Sequence, residues 1–145
     1  MKKNLIVAAL ALSFAAPAAA LDFRTTARAA ILYDAPSQFA SKVAVVGVGV
    51  PFEVFVETES WIKVRDVTGR LVWLDKSALG TARNVMVNVN EASVLQQPLA
   101  NAEVRFNATR GVLLAARSAP TGGWLEVQHA DGLKGWVRQH EVWGE

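Results

Sequence analysis

Short runs of alternating apolar and polar residues fill most of this chain. In Trp61-Ile62-Lys63-Val64-Arg65, Ile62 and Val64 fall on one face and Trp61, Lys63 and Arg65 on the other, the period of a half-buried strand. Residues 43–48 and 52–56 are β-branched or aromatic runs split by Gly49 and Pro51, and Asp66-Val67-Thr68-Gly69 makes a tight connection into the run from Leu71 to Leu74. Further on, Leu125 and Val127 alternate with Trp124, Glu126 and Gln128, and Asp131-Gly132 is a hairpin dipeptide, because such turns need positive φ. Beyond the first 20 residues no helical period is present. The pattern predicts an all-β fold.

The pattern also repeats. Trp61-Ile62-Lys63-Val64 returns 63 positions later as Trp124-Leu125-Glu126-Val127, and at the same offset Gly69 returns as Gly132, Trp73-Leu74 as Trp136-Val137, and Leu79 as Val142. Ile31-Leu32 matches Val94-Leu95 at 63, and Gly49-Val50 matches Gly111-Val112 at 62. One extra residue is therefore expected in the loop Ala119-Pro120-Thr121-Gly122-Gly123 of the second copy. A unit of about 60 residues is marginal alone, so two copies are expected to touch. Residues 84–90, where Val85, Val87 and Val89 alternate with Asn84, Asn88 and Asn90, read as an edge strand joining them.

The first 20 residues read differently. Lys2 and Lys3 precede an apolar run over residues 5–16, Pro17 ends it, and Ala18-Ala19-Ala20 gives small residues before a cleavage at Leu21. Twelve residues make about 18 Å of helix, short of the roughly 30 Å hydrocarbon core. A signal peptide over 1–20 is expected, and no membrane span in the mature chain. Export is expected, to the periplasm or outside the cell.

With Leu32-Tyr33-Asp34-Ala35-Pro36-Ser37, then Val43, Gly49, Val54, Trp61-x-x-Val64, Gly69 and Trp73, the chain resembles the bacterial SH3-like (SH3b) domain family. That pattern opens with L-N-V-R-x-x-P-S, passes an aliphatic-Gly turn and W-x-x-V, and closes with G-x-x-G-W-V. The second copy is similar through Val94-Leu95-Gln96-Gln97-Pro98, Gly111, Trp124 to Val127, and Gly132-Leu133-Lys134-Gly135-Trp136-Val137. Tyr33-Asp34 stand where the family has Val-Arg, and Val72 replaces the Gly before Trp73. The resemblance implies two tandem, partly opened SH3-like β-barrels packed against each other, over residues 21–83 and 84–145. It also implies non-catalytic binding to cell-wall peptide or to an envelope protein.

Charge and residue inventory narrow the chemistry. Loss of Lys2 and Lys3 takes the 15 basic side chains to 13, equal to the 13 acidic ones, so no nucleic-acid footprint remains. With 0 Cys, disulfides, thiol catalysis and zinc-thiolate sites are excluded. His129 and His140 have no partners at metal-ligand spacing, so no metal, cofactor or catalytic residue is assigned and no enzyme is expected.

Aromatic residues carry more. Trp61 and Trp124 begin strands on the face opposite the buried pairs, and a half-exposed Trp on a barrel rim is a common ligand platform. Equally, each could be covered by the other copy. Trp73 and Trp136 end the last hairpin and either pack structurally or join the site. Tyr33 and Asp34, with Glu59 beside Trp61, would complete a polar-rimmed groove for an extended peptide. The ligand-binding set is thus Tyr33, Asp34, Glu59, Trp61, Trp73, Trp124 and Trp136. Since the second copy has Gln96-Gln97 for Tyr33-Asp34, the first is expected to bind and the second to brace. The alternative is an adaptor whose Trp faces meet a protein partner.

Overall fold

The computed structural model describes residues 20–145, so the leader expected over 1–20 lies outside the described residues except for Ala20. The first sheet holds β1 (Phe23–Thr26), β2 (Ala30–Tyr33), β3 (Lys42–Val46), β4 (Pro51–Glu57), β5 (Trp61–Arg65), β6 (Leu71–Asp75) and β7 (Leu79–Gly80). The second holds β8 (Asn84–Val87), β9 (Glu91–Leu95), β10 (Val104–Thr109), β11 (Leu113–Ala116), β12 (Trp124–Gln128), β13 (Lys134–Arg138) and β14 (Val142–Trp143). Strand order is β3-β2-β6-β5-β4-β1-β7 in one and β10-β9-β13-β12-β11-β8-β14 in the other, the same topology twice. A single 3₁₀ turn precedes the last strand of each, Lys76–Ala78 and Gln139–Glu141. The protein is all-β, in two SH3-like copies.

Alternation puts the expected residues inside. Ile62, Val64, Val72 and Leu74 are buried with Leu32 and Phe52 in the first barrel; Leu125, Val127 and Val137 are buried with Val94 and Leu114 in the second. Each such side chain stabilises its barrel by roughly 1.5–3 kcal/mol through loss of apolar surface from water. Gly135 has a packing reason to be glycine, since a Cβ there would sit 2.6 Å from Val94 Cγ1 and 2.7 Å from the Leu95 carbonyl.

Strand register corrects two readings. Ala30 pairs with Val46 and Leu32 with Ala44, while Ala92 pairs with Ala108 and Val94 with Phe106. The opening strands therefore correspond at an offset of 62, not 63. Tyr33 answers to Leu95, and Pro36 to Pro98. Burial decides it, because Leu32 and Val94 both point into a core. The segment over 84–90 does begin with a strand, but β8 lies between β11 and β14 and is not an edge.

The barrels touch through both ends of the second copy and, in the first, through β1, β5 and the turn before β4. Trp143 packs edge-on against Phe23 at 5.1 Å between ring centroids, and the Arg65 guanidinium lies 5.6 Å from its ring centre. Asn84 Nδ2 donates to the Gly49 carbonyl at 3.0 Å, and the Asn84 N–H reaches Thr25 Oγ1 at 3.4 Å. Gly144, at φ +125, runs so close that a Cβ would be 2.6 Å from the Asn84 carbonyl and 3.1 Å from Pro51 Cβ. In the first copy the position of Trp143 is Gly80, where even a Cβ would meet that of Ala27 at 2.9 Å.

Candidate functional site

A groove of about 640 Å³ opens on the outer face of the first barrel. Strand β2 sends Ile31 outward into it, and β3, the terminal strand of the sheet, sends Val45. A kink in register between Leu32 and Tyr33 turns Tyr33 toward the start of β5. There the Tyr33 and Trp61 rings meet edge to face at 5.4 Å, giving the groove an aromatic wall. The β2–β3 loop over residues 34–41 forms its lip and carries Phe39, 90% exposed. Arg28 and Asp75 complete the lining, Asp75 directly across the strands from Trp61.

Not all of the expected residues converge. Tyr33 and Trp61 line the groove, but Asp34 does not. Its Oδ1 accepts from the Ser41 N–H at 3.0 Å, and its own N–H donates to the Ser41 carbonyl, so Asp34 shapes the loop. Glu59 lines a neighbouring depression with Ser60, Lys76 and Ser77. Trp73 pairs across the sheet with Tyr33 and Lys63, and Lys63 Nζ sits 5.8 Å from its ring centre. Trp136 holds the matching place opposite Glu126 and Leu95. Only Tyr33 and Trp61 of the lining residues were in the sequence-derived set; among the rest, Arg28 and Phe39 stand in loops, beyond the reach of alternation, and Val45 lies on β3.

The second barrel's Trp124 faces different chemistry. Across the strands Trp61 is opposite Asp75, whereas Trp124 is opposite Arg138, whose guanidinium covers the indole at 5.0 Å. Asp75 cannot cover Trp61 in that way. It caps the 3₁₀ turn, accepting at Oδ1 from the Ser77 N–H (2.8 Å) and hydroxyl (2.6 Å). Those Ser77 hydrogen bonds, with a weaker pull from Arg28, hold its carboxyl below the usual range. Leu95 in place of Tyr33 removes the other ring of the aromatic wall.

Among the described residues no group of three or more His, Cys, Asp or Glu side chains could hold a metal ion. His129 Nδ1 lies 3.0 Å from Asp131 Oδ1 at a hairpin and meets no second ligand. No helix among them is long and apolar enough to cross a membrane.

The sequence pattern of the bacterial SH3 domain matches residues 27–80 and again 88–144. The chain belongs to that family. Bacterial SH3 domains are cell-wall-binding modules rather than catalytic ones, and they occur typically in envelope or secreted proteins. No curated protein matches the chain. Among solved structures it is similar to NlpC2 from Trichomonas vaginalis, with 11% identity over 85% of this chain and 47% of that one and a TM-score of 0.40. NlpC1 from the same organism gives 12%, 96%, 51% and 0.40. An NlpC/P60 family protein from Bacillus cereus ATCC 10987 gives 13%, 84%, 56% and 0.38. The chain spans about half the length of these structures.

Proposed function

We propose that this protein is an exported, non-catalytic binding module of the bacterial envelope. It holds a cell-wall peptide in the groove of the first barrel, while the second barrel braces the first. One observation carries the reading: the Tyr33–Trp61 pair lines a groove, whereas the equivalent Trp124 carries its own Arg138 over the ring. Membership of a family of wall-binding domains supports the ligand class, and the leader-like residues 1–20 support export. An aromatic wall beside an apolar floor suits an extended peptide, because rigid rings give large contact area at small entropy cost. Membership of a family of binding modules supports a non-catalytic role.

Co-sedimentation of the exported chain with isolated peptidoglycan sacculi tests this. Saturable binding is expected, lost in Trp61→Ala and reduced in Phe39→Ser, but kept in Trp124→Ala. Phe39 is too exposed for its replacement to unfold the barrel. Equal loss from Trp61→Ala and Trp124→Ala would overturn the asymmetry. Absence of sedimentation would overturn wall binding and leave the adaptor reading.

A further inference from the structure

Arg28 is the cation among the residues lining the groove, and the short loop between β1 and β2 holds it at the wall. Its Nη2 donates to Ser77 Oγ at 2.8 Å, and Nη1 reaches the Ala29 carbonyl at 3.5 Å. Asp75 lies 4.0 Å away, outside hydrogen-bonding distance, with Oδ1 already taken by Ser77. A guanidinium has five N–H donors in a rigid fork. Two are used here, so the rest of the fork is unspent beside an aromatic and aliphatic wall. In the second barrel the corresponding loop between β8 and β9, Asn88-Val89-Asn90, contains no cation. The nearby Arg110 is occupied by the Asn88 carbonyl at 2.8 Å and Asn90 Oδ1 at 3.1 Å.

Resting on the wall-binding reading above, we propose that the groove selects a peptide end. Arg28 receives the free carboxylate of an uncrosslinked cell-wall stem peptide, and the terminal methyl-bearing side chain lies against Tyr33 and Trp61. The charge of the fork and its remaining donors fit a carboxylate; the other charge lining the groove, Asp75, stands 4.0 Å from Arg28 and is held by Ser77, so it leaves those donors free. A planar carboxylate matches the fork through paired N–H···O bonds, which an amide cannot make because it has a single oxygen and no charge.

Trp fluorescence of the exported chain, titrated with N,N′-diacetyl-lysyl-D-alanyl-D-alanine and with its C-terminal amide, tests the proposal without any substitution. Charge-assisted hydrogen bonds are strong enough that amidation should weaken binding by at least about tenfold. Arg28→Gln should bind acid and amide alike, at the level of the amide on the native chain. The free acid should also release the native protein from sacculi. Equal affinity of the native chain for acid and amide, with sacculi still bound, would overturn the carboxylate assignment and leave wall binding standing. Failure to bind both sacculi and peptide would overturn the two together. Binding of the all-L acid but not the D-alanyl one would make a protein C-terminus the occupant and overturn the wall source.

Discussion

Replacement of Arg65 by Met should damage this protein severely for a surface change, because Arg65 compensates a buried charge. Glu53 on β4 is 5% exposed and lies directly across from Arg65 on β5. Arg65 Nε donates to Glu53 Oε2 at 2.8 Å, and Nη2 binds the same oxygen. The same guanidinium lies 5.2 Å from the Phe55 ring centre and 5.6 Å from that of Trp143. Removing one member of a buried ion pair costs about 3–5 kcal/mol, because the other charge stays buried without a partner. The Arg65 side chain keeps 39% exposure, so water screens part of the interaction and the low end, about 3 kcal/mol, applies. Loss of the two cation–π contacts adds about 0.5–1 kcal/mol each. For a domain of this size that lowers the unfolding midpoint by roughly 10–20 °C. Urea unfolding followed by Trp fluorescence measures it. Glu53→Met combined with Arg65→Met should recover most of the loss, since the stranded carboxylate is gone. A loss below about 1 kcal/mol in the single variant, or a double variant as unstable as the single, would refute this account of Glu53.

Trp143→Ala should cost about 2–4 kcal/mol and separate the unfolding of the two barrels into two transitions by calorimetry, whereas Trp143→Phe should cost less because the buried indole Nε1 has no hydrogen-bond partner to lose. Gly135→Ala should destabilise the second barrel by about 1–3 kcal/mol in the same urea assay, because its Cβ meets the Leu95 backbone, which cannot turn aside as a side chain would. Acid should weaken the first barrel in a defined window. Hydrogen bonds from Arg24 and Lys76 hold the Glu57 carboxyl down at about 2, against 4.5 for the ordinary group. The folded chain thus binds fewer protons here than the unfolded one between these values. Its stabilisation is complete above about pH 5 and is lost as pH falls through about 2. Glu57→Gln should flatten the fall of the melting temperature between pH 4.5 and 2, and an unchanged slope would contradict the shift.

Much of the fold was legible because half-buried strands write their burial with a period of two. Ile62/Val64 and Leu125/Val127 stood out for that reason, and the repeated Trp and Gly positions exposed the duplication. Register was harder to read. Ile31-Leu32 and Val94-Leu95 look alike at an offset of 63, yet core packing sets Leu32 against Val94 at 62. That slip hid the correspondence of Tyr33 with Leu95, on which the difference between the barrels depends. Of the candidate groove, only the aromatic half was legible. Tyr33 and Trp61 lie on strands, while Arg28 and Phe39 stand in loops that no periodicity describes. Asp34 was assigned to the rim, although an Asp before Ala-Pro-Ser is also a local backbone acceptor, and that role prevails. Trp143 marks the join between the barrels, where its partners Phe23 and Arg65 are far apart in sequence. The covering of Trp124 by Arg138 follows from a cross-strand pairing that becomes visible only once the register is known.

The central claim is that the first barrel's groove is the binding surface. The most direct test is an amide-resolved NMR titration of residues 21–145 with soluble fragments released from sacculi by a muramidase. The account predicts saturable shifts concentrated at Arg28, Ile31, Tyr33, Phe39, Val45 and the Trp61 indole, with the equivalent strands of the second barrel unmoved. Shifts centred on Trp124 and Trp136, or a native chain that sediments with sacculi while its groove signals stay in place, would contradict it.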